Sequence, residues 1–150
     1  MKPAIDLPGV FVADKVEYRA AHSAAVFMDR NAEGLLWATG RDRIDLIHRM
    51  STNDLLNMAD GEARFTVLTD AIARIIDRVQ VVHLGESALI RTSAGQGETV
   101  RKWLSSYVGF NDDARFVDAS GELGQLGVFG PRAAMVVEAV VPGVSKMPEG

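Results

Sequence analysis

The order of apolar segments between residues 35 and 119 most restricts the fold of this chain. The run LLWAT (35–39) predicts a strand, Gly40 interrupts it, and Ile44 and Ile47 continue at helical spacing. The segments that follow predict two strands, an optional third strand, a helix and a last strand: ARFTVLT (63–69), RIIDRVQVVH (74–83), SALIRTS (87–93), GETVRKWLSSYV (97–108) and RFVDA (115–119). This order predicts an α+β fold with a ferredoxin-like split βαβ antiparallel sheet and helices on one face.

Local patterns refine this prediction. EYRAAHSAAVFMD (17–29) is typical of a short amphipathic helix, and Asp42 is a candidate side-chain cap for the helix after Gly40. In ARFTVLT, alternation predicts that Phe65 and Val67 point inward, with Arg64 and Thr66 pointing outward.

The segments indicate three parts of the chain. Residues 1–34 are predicted to form an N-terminal extension with a helix, and residues 35–120 the ferredoxin-like domain. Residues 121–150 contain QLGVFGPRAAMVVEAV (125–140), which repeats the strand, glycine and helix layout and begins a second unit that we expect to be incomplete. Its apolar layer would then be covered by the N-terminal helix, by a second copy of the chain, or by further residues of a longer protein.

Charge and composition exclude several classes of function. The net charge is −4 and basic residues form no block, which disfavours binding to nucleic acid. The chain has no cysteine and its three histidines lie far apart in sequence, so we expect no metal site. No apolar run approaches the roughly 20 residues of a membrane span, and we expect a cytoplasmic protein that does not enter membranes.

The segment AGQGE (94–98) has two interpretations. Its lone G-x-G precedes a helix, where backbone N–H groups can bind a phosphate. A glycine turn between a strand and a helix is the alternative, and it is favoured because the third glycine and the later acidic residue of a nucleotide fingerprint are missing.

Motifs spread along the chain resemble a known family. From Glu17 to Val141 the sequence is similar to the N-terminal part of the aminomethyltransferase family, meaning the glycine-cleavage T-protein and its YgfZ-type relatives. The resemblance lies in four features in the same order: AVFMD (25–29), Gly40 followed by Asp42, STND (51–54) before Gly61, and VFGP (128–131). It implies a tetrahydrofolate-binding protein of one-carbon metabolism in which small α+β domains surround a central pocket.

The resemblance also implies where the catalytic acid would lie. In the family, an aspartate within a pattern G-G-x-x-x-D lies beside the folate nitrogens that accept the one-carbon unit. The matching segment here is ARIIDR (73–78), in which both glycines are replaced, Arg78 occupies the position of the acid, and Asp77 lies one residue earlier. Because side chains alternate along a strand, Asp77 should point to the opposite face unless a bulge redirects it.

Six residues are therefore candidates for a site. Asp77 is the candidate catalytic residue, and its alternative is a structural carboxylate that pairs with Arg74 or Arg78 or reaches water. The candidate residues for binding the cofactor are Thr52, Asn53, Asp54, Arg78 and Thr92. For Thr52 to Asp54 the alternative is a polar helix exit and cap. Other family positions also differ: Arg64 and Val82 stand where tyrosines are common, and Thr92 stands for an asparagine. The Lys-Gly-Cys signature of the YgfZ branch would lie beyond the end of this sequence.

Two functional hypotheses follow from the resemblance. The first is a tetrahydrofolate-binding, aminomethyltransferase-like protein whose active site is substituted and incomplete, and whose partner is a folate-type small molecule. The second is a noncatalytic module, half of the family fold, that forms a homodimer or assembles with another polypeptide. A segment of a longer enzyme is a third reading, which the sequence does not separate from the second.

Overall fold

The structure is a computed structural model, and it describes residues 15–143. The elements in chain order are α1 (Lys15–Ser23), β1 (Val26–Asp29), β2 (Glu33–Thr39), α2 (Arg43–Arg49), β3 (Ala63–Thr69), β4 (Ile75–Leu84), β5 (Ser87–Ala94), α3 (Gly97–Ser106), β6 (Arg115–Asp118), β7 (Leu126–Phe129) and α4 (Ala133–Val140). The described residues fall into two compact units, 29–126 and the combination of 15–28 with 127–143. The domain limits at residues 34 and 120 remain a prediction.

The larger unit contains a five-stranded sheet in the order β3-β4-β5-β2-β6, in which every neighbouring pair is antiparallel. The α+β fold with an antiparallel sheet is thus confirmed. The optional third strand is a full strand, β5, and it lies between β4 and β2. Strands β4, β5, β2 and β6 lie in the order of a ferredoxin-like sheet. Strand β3 comes just before β4 in the chain, pairs with it, and adds a fifth strand at the edge.

The core lies between one face of this sheet and the helices α2 and α3. Leu46 and Ile47 of α2 and Val100 and Leu104 of α3 are fully buried in one cluster with Leu36, Leu68, Val79, Val81 and Ile90 of the sheet. Burial of these side chains is the main stabilising contribution for this unit. The opposite face, here called the outer face, carries half-buried side chains that include Trp37, Phe65, Val67, Val82 and Leu89.

The inward direction predicted for β3 is wrong. Thr66 and Leu68 are buried at 1% and 0% exposure, whereas Phe65 and Val67 are half-buried on the outer face. The pairs Thr66↔Val79 and Leu68↔Asp77 place the even-numbered residues of β3 on the core face. Apolar residues occupy both faces of this strand, so alternation alone did not distinguish them.

Two local predictions also need correction. The helix predicted for residues 17–29 ends at Ser23, and residues 26–29 form β1, which pairs with β7. Adjacent Val and Phe suit a strand better than a helix. Asp42 holds the position before α2 but makes no side-chain cap, because its carboxylate accepts the Asp113 backbone N–H at 2.9 Å and pairs with Arg41.

The smaller unit consists of α1, α4 and the two-stranded sheet β1-β7. The junction from β7 to α4 packs closely on the end of α1: Gly130 has φ +117°, a Cβ there would lie 2.6 Å from the Ala24 carbonyl oxygen, and the Arg132 N–H donates to that oxygen at 2.9 Å. Neither helix buries a side chain completely. Among the helices of residues 15–143, none is long and apolar enough to cross a membrane.

Candidate functional site

Adjacent residues of β4 point to opposite faces of the sheet. Asp77 is 6% exposed and lies on the core face in line with Val79 and Val81, whereas Arg78 is exposed on the outer face. The pairing shifts register between Leu68 and Thr69, so that Ile76 is an extra residue on β4. This bulge lies before Asp77 and leaves it on the face of Val79, as alternation predicted.

The Asp77 carboxylate is held by three hydrogen bonds. Its Oδ2 accepts the Ser93 backbone N–H at 2.9 Å, and its Oδ1 accepts the Ser93 hydroxyl at 2.5 Å and the Arg78 backbone N–H at 2.8 Å. The carboxylate makes no ion pair with the Arg74 or Arg78 side chain, although the backbone of Arg78 is one of its partners, and the choice between a structural and a catalytic role stays a prediction. Hydrogen bonds to β4 and β5 satisfy this buried charge, and they tie the two strands together.

The turn before β4 contains a backbone conformation that favours glycine. Ala73, which the resemblance places at the first glycine of the G-G-x-x-x-D pattern, has φ +61°, in the left-handed region that glycine adopts without steric cost. Asp70 supports the turn, since its Oδ1 accepts the N–H groups of Ile72 at 3.0 Å and Arg74 at 2.8 Å. Alanine is therefore tolerated at a backbone position that favours glycine.

Thr92, the second candidate on the core face, is 2% exposed. Its hydroxyl donates to the Ser93 carbonyl oxygen at 3.1 Å. Beside it, β2 approaches the start of α3 closely, because a Cβ on Gly34 would lie 2.5 Å from the Gly97 Cα and 2.6 Å from the Thr92 Oγ1. Thr92 thus fills the contact between strand and helix and is not part of the outer face.

The segment of Thr52 to Asp54 covers the free edge of β3. The Thr52 N–H donates to the Val67 carbonyl oxygen at 3.1 Å, and the Asn53 side-chain amide donates to the Phe65 carbonyl oxygen at 2.6 Å. The Asp54 carboxylate accepts from Asn57 and from the Leu56 N–H, and these bonds lower its pKa. Thr52 and Asn53 therefore lie along the edge strand that carries Phe65, and the Asn53 N–H also donates to the Thr66 hydroxyl at 3.1 Å.

Three arginines gather on the outer face around one aromatic ring and one carboxylate. The Arg78 guanidinium carbon lies 4.0 Å from the centre of the Phe65 ring, and that of Arg91 lies 5.9 Å from it. Glu33 binds both Arg30, at 2.5 Å, and Arg91, at 3.4 Å. Burial, followed by the charges of Arg30 and Arg78, lowers the pKa of Arg91.

The phosphate interpretation of residues 94–98 is not supported by the surroundings of that turn. An open hollow of about 220 Å³ lies at the start of α3, and Glu33, Glu98 and Asp118 contribute to its wall. Three carboxylates oppose the binding of a phosphate. The glycine turn is the better reading: Gly95 has φ +74°, and its N–H donates to the Ala32 carbonyl oxygen at 3.0 Å.

Glu98 is expected to titrate far below its usual range. Hydrogen bonds from Arg101 and Lys102 lower its pKa from 4.5 to about 2. A lowered folded-state pKa stabilises the protein above the unfolded value, and this contribution is lost as the pH falls towards 2. NMR titration of the Glu98 side chain should show a midpoint near pH 2, and Arg101→Gln should raise it. A midpoint near 4.5 in the unmodified protein would contradict the ion pair.

The structure thus divides the six candidate residues. Arg78, Thr52 and Asn53 lie along β3 and its neighbour β4, Asp54 lies in the same edge segment, and Asp77 and Thr92 lie on the core face. Sequence reasoning missed Phe65 and Arg91 as neighbours of Arg78, Glu33 and Arg30 as neighbours of Arg91, and Ser93 as the partner of Asp77. Phe65 and Arg91 each stood in a predicted strand, but their contact with Arg78 depends on the register between strands, which the sequence did not show. Within residues 15–143 no group of three or more potential ligands could hold a metal ion.

Comparisons with known proteins agree with the fold and with the motifs. The family model described as GCVT N-terminal domain matches residues 6–148. Aminomethyltransferases of Bacillus cytotoxicus and Bacillus cereus are each 30% identical over 137 residues, which is 91% of this chain and 37% of theirs. The crystal structure of the glycine cleavage system aminomethyltransferase T from Bartonella henselae superposes with a TM-score of 0.74 at 20% identity, over 85% of this chain and 35% of that one. The chain therefore spans little more than a third of these relatives.

Proposed function

The chain belongs to the family of the GCVT N-terminal domain, and from this premise we propose that it binds tetrahydrofolate on the outer face of its five-stranded sheet. It would do so as an aminomethyltransferase-like protein of the T-protein or YgfZ type. One observation carries the proposal: Arg78, at the position that the family resemblance gives to the folate-facing acid, lies on the outer face and contacts Phe65. A cytoplasmic location is part of the same proposal and rests on the sequence alone.

The outer face has the properties that a folate needs. A pterin is a flat aromatic ring system, and Phe65 and Trp37 offer half-buried aromatic surface on this face. A folate also carries carboxylates, for which Arg78 is a suitable partner. Thr52 and Asn53, at the adjoining edge of β3, supply polar groups that would orient the ligand.

In this proposal the chain binds the cofactor and does not supply the catalytic acid. Both oxygens of Asp77 already accept hydrogen bonds on the core face, and Glu33 on the outer side is held by two arginines. A general acid or base needs a carboxyl group that is free to exchange a proton with the substrate, and the oxygens of both carboxylates are already engaged. We therefore infer that Asp77 and Thr92 maintain the sheet, and that neither Asp77 nor Glu33 serves as the catalytic acid.

Calorimetric titration with 5-formyl-tetrahydrofolate tests folate binding. We expect saturable binding that Phe65→Leu weakens roughly fivefold, because the loss of an aromatic contact removes about 1 kcal/mol. Tyr107→Leu is the matched control, since Tyr107 is a partly exposed aromatic residue of the α3 end that stacks on Trp103 away from Phe65. Absence of heat from the folded protein at high ligand concentration would refute the proposal.

A second candidate function is that of a noncatalytic module that forms a homodimer or binds another polypeptide. The observation that favours it is the exposure of large apolar side chains in the smaller unit, where Phe27, Met135 and Val140 are 61%, 62% and 77% exposed. Exposed apolar residues in this number are typical of a surface that another polypeptide covers. A folded chain that binds no folate would favour this candidate.

A further inference from the structure

We propose that Arg78 and Arg91, together with Phe65, form a binding site for the carboxylate of a small organic acid with an aromatic or apolar body. The proposal extends the carboxylate contact suggested for folate, since it adds Arg91 to the site and does not require a pterin. It rests on the contacts of three neighbouring strands, β3, β4 and β5, within one compact unit.

Positive charge on this part of the outer face exceeds negative charge. Arg30 and Arg91 share the single carboxylate of Glu33. Within residues 15–143, the Arg78 side chain meets the Phe65 ring but no carboxylate and no hydrogen-bond acceptor. Three guanidinium groups and one carboxylate leave a net charge of +2 in the cluster. An anion is the ligand that this imbalance favours.

Strand pairing explains why these side chains converge. Phe65 pairs with Gln80, and Gln80 pairs with Arg91, so the three residues form one row across the outer face. Arg78 lies two residues from Gln80 on the same strand and therefore on the same face. The strands thus hold both guanidinium carbons within 6 Å of one ring centre, at 4.0 and 5.9 Å.

The Phe65 ring prepares Arg78 for a carboxylate. A guanidinium that contacts an aromatic face is held in place, while its N–H donors remain available in a planar fork that fits two carboxylate oxygens. Bidentate pairs of this kind are shorter and stronger than bonds between neutral groups. Burial and the nearby cations Arg30 and Arg78 lower the pKa of Arg91, and the negative charge of a bound carboxylate would offset these effects.

The surroundings favour a carboxylate on an apolar body over inorganic phosphate. The backbone N–H groups here take part in strand pairing, so they are not free to surround a phosphate. The neighbouring side chains on the outer face include Val67 and Val82, which are half-buried and apolar. An aromatic acid would bury apolar surface against them while its carboxylate meets Arg78.

NMR titration of the arginine side-chain N–H signals of the full chain tests the site. The probes are benzoate, its neutral counterpart benzamide, and inorganic phosphate. We expect benzoate to bind saturably and to shift the signals of Arg78 and Arg91, with benzamide and phosphate at least tenfold weaker. Phosphate that binds as tightly as benzoate would overturn the assignment to an organic acid, and no saturable shift with benzoate would overturn the site itself.

Matched variants test whether benzoate binds at Arg78. Arg78→Gln should weaken benzoate at least tenfold, and Arg78→Lys should weaken it by a smaller factor because the charge remains and the fork is lost. Arg101→Gln is the control, since Arg101 is an arginine of α3 that pairs with Glu98. Benzoate binding that Arg78→Gln leaves unchanged would overturn the proposal. Binding of benzoate without binding of 5-formyl-tetrahydrofolate would retain this site and reject only the folate proposal.

Discussion

Replacement of Asp77 by alanine should lower the free energy of unfolding by about 3 kcal/mol, since a buried charged acceptor is removed and its donors lose their partner. The donors are the Ser93 N–H, the Ser93 hydroxyl and the Arg78 N–H. Unfolding in urea, followed by circular dichroism, measures the change. The prediction concerns stability alone, because the carboxylate lies on the core face and does not reach the outer face.

Two further variants test whether the loss of stability is specific to the hydrogen bonds of Asp77. Glu86→Ala, in the exposed turn between β4 and β5, should leave the urea midpoint unchanged. Ser93→Ala should also destabilise the protein, and the double variant with Asp77→Ala should lose less than the sum of the two, because the residues share hydrogen bonds. An unchanged midpoint for Asp77→Ala would contradict the structural role and return Asp77 to the candidates for catalysis.

Replacement of Gly34 by alanine should lower the free energy of unfolding by about 3 kcal/mol, at the upper end of the usual cost of overpacking. The added Cβ would lie 2.5 Å from the Gly97 Cα and 2.6 Å from the Thr92 Oγ1, so β2 and the start of α3 would have to separate. The Gly97 Cα is a backbone atom, so it cannot give way unless the start of α3 moves. Thermal and urea unfolding measure the effect.

Gly121→Ala is the matched control for Gly34→Ala. A Cβ on Gly121 meets nothing within 4 Å, and its φ is not in the left-handed region. We expect this variant to unfold like the original protein or slightly later, since alanine restricts the unfolded chain. Equal stability of the two alanine variants would show that β2 and α3 do not approach as closely as the structure has them.

Much of the fold could be predicted from periodicity. The amphipathic spacing of Val100 and Leu104 predicted α3, and apolar runs predicted β2, β4 and β6, because a helix or strand must bury one face. Residues 26–29 were misassigned to a helix. Their strand pairs with β7, about a hundred residues later in the chain, and local spacing carries no information about such a partner.

The candidate site was less predictable than the fold. Alternation correctly placed Asp77 and Arg78 on opposite faces, but the same reasoning assigned the wrong face of β3 to the core. Both sets of residues on β3 contain apolar side chains, so only pairing with β4 decides which set is buried. The partner of Asp77 was also missed, because Ser93 reaches it through the register of β4 and β5.

The sequence by itself determined the α+β class, the order of most elements and the family, and its resemblance to that family implies that Arg78 stands at the position of the acid. These properties follow from local periodicity and from motifs that are read in chain order. Tertiary structure decided which face of each strand is buried, that Ser93 holds Asp77, that Arg78 and Arg91 meet at Phe65, and that Glu33 joins Arg91 to Arg30. Register between strands creates those neighbours, and register depends on the packing of the whole sheet against its helices.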